Sequence, residues 1–260
     1  MRISRGIFAQ CLLLAVTAVF FDQSLSQGLY AQGRGGRGGG RGGPPATAKS
    51  GAALDLTGYW VSVVTEDWRY RMVTPAPGDY NGVPMTGAAV KIADAWDPAK
   101  DEAAGDQCKS YGAPNILRVP GRLHVTWQDD QTLKMETDAG KQTRTFHFGD
   151  WKAEGPPSLQ GDSVAEWERG GRGAMGGTLK VTTTHLKAGY LRKNGVPYSD
   201  NTNLVEYYDM VKEANGDQLM VVTSVITDPM YLRESFIIST HFKKQASDAG
   251  WKPSECSARW

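Results

Sequence analysis

The chain has 260 residues, with 29 Lys and Arg set against 28 Asp and Glu for a formal net charge of +1. That balance removes the electrostatic argument for a polyanionic partner, so no nucleic acid is expected. The stretch from Leu54 to Trp260 suits a single domain with ample core.

Arg2 and Arg5 precede an apolar run from Gly6 to Phe21, followed by Asp22 and Gln23. This order predicts a signal peptide over residues 1–31, with cleavage after Ala31 or alternatively after Ser26. The run falls short of the roughly 20 apolar residues of a membrane anchor, so no transmembrane segment is expected in the mature chain. Cys11 lies inside the run behind Phe8-Ala9-Gln10, not after a small-residue lipidation site. The destination is periplasmic or secreted. Cleavage leaves Cys108 and Cys256, an even pair in an oxidising compartment, which argues for one disulfide. Two free thiols, or a pair of metal ligands, are the other readings.

Residues 32–53 contain GRGGRGGGRGG from Gly33 to Gly43. With nothing apolar to bury, this segment reads as a disordered tether. An RGG-type nucleic-acid segment is the alternative, but it lacks interleaved aromatics.

Along the domain, short runs of Val, Thr and aromatic residues alternate with Gly, Pro, Asn and Asp, the pattern of antiparallel β-structure. Strands are expected at 58–65, 68–74, 116–119, 122–127, 132–137 and 142–148. Further ones are expected at 163–168, 178–184, 203–211, 218–227 and 235–243. Leu123, Val125 and Trp127 share one face of their strand while His124 and Thr126 take the other. Turn residues at Asp129-Asp130, Asp138-Ala139-Gly140 and Asn215-Gly216-Asp217 make the connections local and favour a meander. Between Pro84 and Asp106, helical spacing takes over. Ala89, Ile92, Ala93 and Trp96 recur on one face, Thr86 can cap the start, Asp97-Pro98 restarts the helix, and Gly105 ends it. The fold class is therefore mainly β, barrel-like or a two-sheet meander, with a short helical pair near residues 86–106. Closure is favoured because an open sheet of this size exposes its edges.

Two resemblances follow from the residues. Gly58-Tyr59-Trp60 resembles the Gly-x-Trp opening of lipocalin-like (calycin) barrels, although the last strand offers no arginine to cover the tryptophan. A longer series resembles a family of exported bacterial β-rich proteins without an established activity. It runs from Cys108 with Tyr111-Gly112-Ala113-Pro114, through Arg118 with Pro120 and Arg144, to Gln160-Gly161-Asp162-Ser163 and Trp167-Glu168. It continues through Leu179 to Thr183, Gly195-Val196-Pro197 with Ser199, Glu206, and Asp228-Pro229. This resemblance covers about Trp96 to Lys243 and implies fold and compartment; it supplies no catalytic residues.

His124, His147, His185 and His241 sit on separate expected strands and could converge as metal ligands inside a barrel, though no H-x-H or H-E-x-x-H spacing is present. No G-x-S-x-G occurs either, and Ser163 reads as a turn residue entering a strand. Glu66, Asp67, Glu166, Glu168 and Glu206 are the carboxylates that could form an acid-base pair. Trp60, Trp68, Tyr70, Trp127, Tyr190 and Tyr207 are candidate ligand-binding aromatics. Arg118 and Arg144, with Arg69 and Arg71, are charged groups inside strand patterns that could grip an anion. The excursion from Ala188 to Asn203 offers Tyr190, Arg192, Lys193 and Tyr198, and Asp228-Pro229-Met230-Tyr231 reads as a structural corner. The leading reading is a module binding a small apolar or amphipathic ligand; a cavity enzyme using His or carboxylate residues, possibly metal-dependent, is the alternative. No cofactor is indicated.

Overall fold

The structure is a computed structural model and describes residues 46–153, 155–170 and 176–259. The expected signal peptide, its cleavage site, Cys11 and the Arg-Gly run lie outside the described residues. Nine strands close a barrel: β1 (Gly58–Val63), β2 (Arg122–Trp127), β3 (Thr132–Thr137), β4 (Thr143–Phe148), β5 (Asp162–Arg169), β6 (Gly177–Thr184), β9 (Asn203–Lys212), β10 (Gln218–Thr227) and β11 (Phe236–Gln245). A two-stranded hairpin, β7 (Gly189–Tyr190) with β8 (Pro197–Tyr198), lies between β6 and β9. Around a closed ring an odd number of strands cannot alternate direction throughout, so one neighbouring pair must run parallel. That pair is β4 with β5, in register Phe146↔Ser163. All other barrel pairings are antiparallel, and Asn215-Gly216-Asp217 joins β9 to β10 as expected.

Alternation sorts each strand into an inner and an outer face. Trp60, Leu123, Val125, Leu133, Met135, Phe146, Leu179, Val181, Tyr208, Met220, Val222 and Phe242 form one buried cluster inside the barrel. Leu204, Ile226, Phe236 and Ile238 join a second, with Leu186, Leu191, Val196 and Tyr198. On three successive strands a buried polar residue separates the two clusters: Glu206 between Leu204 and Tyr208, Ser224 between Ile226 and Val222, and Thr240 between Ile238 and Phe242. A polar belt thus crosses the barrel between two apolar layers. Lys134, Glu136, Glu166, Lys180 and Lys243 take part in ion pairs on the outer face. That distribution is the reverse of the apolar outer band of a membrane-spanning barrel. No helix among the described residues is long and apolar enough to cross a membrane.

Chain segments cover both ends. At one end the Nε1 of Trp167 donates to Ala48 O (2.9 Å), and Lys49 N donates to Asp130 O (3.1 Å). The part of the expected tether from Ala46 to Ala53 is therefore packed against the barrel. At the other end, called the crown here, lie the helices between β1 and β2, the 185–202 loop and the β10–β11 corner. The helical pair falls where the sequence places it. In α2 (Gly87–Asp94) Thr86 accepts from Ala89 N, and in α3 (Pro98–Ala104) Asp97 accepts from Ala99 N while Gly105 closes the end at φ 75°.

Two expected strands are not strands. In the expected strand 68–74, residues 68–72 form a helical turn, α1 (Trp68–Met72), because Asp67 takes a left-handed conformation (φ 48°) and its carbonyl accepts from Tyr70 N and Arg71 N. Residues 116–119 continue the turn of α4 (Ala113–Ile116), with Arg118 N donating to Asn115 O and Val119 N to Ile116 O. Pro114 suits the first turn of α4, where its missing N–H has no intrahelical acceptor to lose. In both cases an aromatic or β-branched run that would suit a strand is overridden by local hydrogen bonds at its start.

The tryptophan of the Gly-x-Trp segment is fully buried and its Nε1 donates to Leu56 O (2.9 Å). The cation over its ring comes from a lysine: Lys244, paired with Trp60 across β1 and β11, places Nζ 4.8 Å from the ring centroid and donates to Thr57 O. Gly58 has φ +103°, and a Cβ there would approach Lys244 Cε at 3.3 Å, so a side chain would both strain the backbone and crowd that lysine. The closed barrel is compatible with a calycin-like one.

Cys108 and Cys256 are bonded, with Cα atoms 5.1 Å apart across 148 residues of chain. Beyond β11 the chain packs along the outside of the barrel. Trp251 stands edge-on to Tyr59 and His124, and Ser254 N donates to Asp138 O (2.8 Å) before the staple at Cys256.

Candidate functional site

Three chain segments bring basic side chains together at the crown. Arg71 comes from α1, Arg118 from the turn after α4, and Arg192 with Lys193 from the loop between β7 and β8. They wall a crevice of about 10 Å³, completed by Tyr70, Asn115 and Val119, which is room for about one water-sized group. Arg71, Arg118 and Arg192 are only 2–3% exposed. The turn at Glu66-Asp67 aims consecutive carboxylates at two of them: Glu66 pairs with Arg71, and Asp67 with Arg118 at 3.0 Å. Arg71 Nε also donates to Arg118 O (2.9 Å), tying α1 to the turn after α4. Arg192 lies over the Tyr70 ring, 4.1 Å from ring centroid to Cζ, and Asn194 anchors its loop by donating to Ala76 O and Asp79 O.

This assembly leaves donors unused. Arg71 Nη2, Arg118 Nη2, and Nε and Nη1 of Arg192 are buried with no hydrogen-bond partner among the described residues. Buried N–H groups are ordinarily satisfied, and leaving them unpaired costs free energy. Burial, reinforced by the charge on Arg118, pulls Arg192 down to about 10, against weaker opposition from Asp67. Burial also lowers Arg118 and Arg71, and brings Lys193 down to about 8. The Nζ of Lys193 donates to the Tyr111 hydroxyl (2.8 Å). A negatively charged oxygen in the crevice would both satisfy the spare donors and relieve the repulsion among the guanidinium groups.

Compared with protein-family models, curated proteins and solved structures, the chain matches none. Its chemistry has therefore to be argued from the side chains alone.

Of the residues singled out from sequence, Tyr70, Arg71, Arg118, Arg192 and Lys193 line the crevice, and Trp68 sits on the same short helix as Tyr70. The others lie elsewhere. Trp60 is under Lys244, Trp127 packs on Phe148, and Tyr190 donates to Asp101 (3.1 Å). Tyr207 pairs with Lys180 and Thr223 on the half-buried outer side of β9. Arg144 is in the polar belt, in a bidentate pair with Glu206. The four histidines have separate neighbours. His124 stacks on Tyr59, His147 on Trp151, His185 Nδ1 is 2.6 Å from Asp162, and His241 Nδ1 is 3.1 Å from Glu66. Among the described residues no group of three or more His, Cys, Asp or Glu side chains could hold a metal ion. Each of the five carboxylates considered for acid-base work meets a cation instead: Glu66, Asp67 and Glu206 an arginine, and Glu166 and Glu168 Lys180. Ser163 is hydrogen-bonded to Thr183 at 2.7 Å.

Sequence reasoning did not foresee the part of Asn115, or that Glu66 and Asp67 hold the arginines. The signal was faint: two adjacent carboxylates just before Arg71.

Proposed function

We propose that the protein is an exported binding module in which the β-barrel is a rigid scaffold and the arginine crevice at its crown receives an anionic group of a small ligand. Inward positions along the barrel are taken by side chains of the two apolar clusters and the polar belt, which moves the polar opening to the crown. The observation that carries this reading is the set of four buried guanidinium nitrogens, unpartnered among the described residues, on three arginines that line one small space. Export rests on the basic and apolar order of residues 1–21 and is supported by a disulfide of the kind that persists in oxidising compartments.

The test is an anion titration of the purified protein with acetate and with inorganic phosphate, followed by nitrogen NMR of the arginine Nε signals at low and high salt. A saturable, salt-sensitive shift of Arg192 is expected. Arg192→Gln is expected to weaken binding by about tenfold or more, the scale of one charge-assisted hydrogen bond in a desolvated site. No shift with either anion would overturn the reading.

A further inference from the structure

Resting on that reading, we propose that the ligand is an amphiphile: a carboxylate whose head group enters the crevice and whose apolar part lies outside the barrel, over Trp68, Met72 and Val73. Three observations converge on this class. The first is size, since a space of about 10 Å³ admits about one head-group oxygen but no hydrocarbon; anything attached to the anion must continue over the rim. The second is charge. Arg71, Arg118, Arg192 and Lys193 wall the crevice against two carboxylates, Glu66 and Asp67, an excess of positive charge that suits an anionic head group. The third is what the rim offers. Eight large hydrophobic side chains are exposed among the described residues, and three of them fall within six positions: Trp68, Met72 and Val73, at 63%, 52% and 61%. Single exposed apolar residues are ordinary, but a contiguous group is not.

Geometry joins the patch to the crevice. The five-residue helix α1 is only about 7.5 Å long, and it supplies both the crevice residues Tyr70 and Arg71 and the exposed Trp68 and Met72. Trp68 and Met72 are four residues apart and so share one side of the helix. A chain leaving the arginines can therefore meet an apolar surface within one helix length. The path differs from that of a ligand buried along a barrel axis.

Three probes separate the parts of the proposal: acetate carries the head alone, dodecanol the chain alone, and dodecanoate both. Each is titrated into the wild type, into a Trp68→Ser/Met72→Ser double variant and into Arg192→Gln. Dodecanoate is expected to bind at least about thirtyfold more tightly than acetate, from burial of its chain. The double variant should lose about tenfold or more for dodecanoate while its acetate affinity, which also reports that the crevice is folded, stays unchanged. Equal affinity for dodecanoate and acetate, or a double variant that binds dodecanoate like wild type, would overturn the amphiphile inference and leave the anion reading standing. Dodecanol binding as tightly as dodecanoate, with no effect of Arg192→Gln, would overturn both.

Discussion

Replacing Glu206 by alanine is expected to remove about 3–5 kcal/mol of folding stability, the scale of a buried ion pair broken from one side. Arg144 and Glu206 are each 1% exposed, joined by contacts of 2.9 and 2.6 Å, and Arg144 also reaches Thr183 Oγ1 at 3.2 Å. Burial by itself pulls the guanidinium toward the neutral form, but Glu206 and Tyr208 together outweigh it and hold Arg144 firmly protonated. Without Glu206 a full charge stays between two apolar layers with no counter-ion at that face. The variant's denaturation midpoint should fall steeply in urea at unchanged slope. The paired replacement Arg144→Met/Glu206→Leu should recover most of the loss, because removing both charges also removes their desolvation cost. If Glu206→Ala melts with wild type, the belt contributes no such constraint. The belt also acts on register: sliding β9 by one residue would turn Glu206 to the outer face and break its alignment with Ser224 and Val181.

The barrel was legible in the sequence because most of its strands carry their own instructions. Leu179, Val181 and Thr183, or Met220, Val222, Ser224 and Ile226, alternate with outward residues whatever their partners are. The turn at Asn215-Gly216-Asp217 closes its hairpin through local hydrogen bonds, and the helical pair has its caps within reach in sequence. Residues 68–72 are different. Their aromatic and arginine alternation suits an edge strand, and what makes them helical is the left-handed turn at Asp67 together with ion pairs to Arg118 and within the turn, one of them spanning 51 positions. The crevice was hidden for the same reason. Arg71, Arg118 and Arg192 belong to separate segments, and nothing in their spacing encodes that the folded chain brings all three to one crevice. Lys244 was overlooked because an arginine was sought where a lysine performs the same capping of Trp60. Several of the sequence landmarks between Cys108 and Asp228-Pro229 prove to be nodes of the crown and belt. Arg144 and Glu206 pair, and Asp228, 3% exposed, accepts from Ser199 N and Oγ, Thr202 Oγ1, Met230 N and Tyr231 N. The corner at Asp228-Pro229 thus also locks the loop that carries Arg192.

Removing the staple, as Cys108→Ser/Cys256→Ser or by reduction, is expected to lower stability by about 4–5 kcal/mol in the chain-entropy account of a loop this long. The loop spans 148 residues and encloses every strand from β2 onward, so the unfolded chain gains wide freedom when it opens. A second consequence is local. The tail beyond Cys256 reaches the crevice wall through one hydroxyl: Tyr111 accepts from Ser257 N (3.2 Å) and from Lys193 Nζ (2.8 Å). Loosening the tail takes away one of the contacts that hold Tyr111 against the loop bearing Arg192 and Lys193. Reduction should therefore weaken acetate binding, measured well below the melting transition, as well as lower the midpoint. Hydrogen exchange should locate the change first at residues 250–259 and then at 191–194. Unchanged melting on reduction would show that the native contacts of the tail compensate for the lost constraint. Lowered stability with unaltered anion binding would show that the tail and the crevice wall are energetically independent.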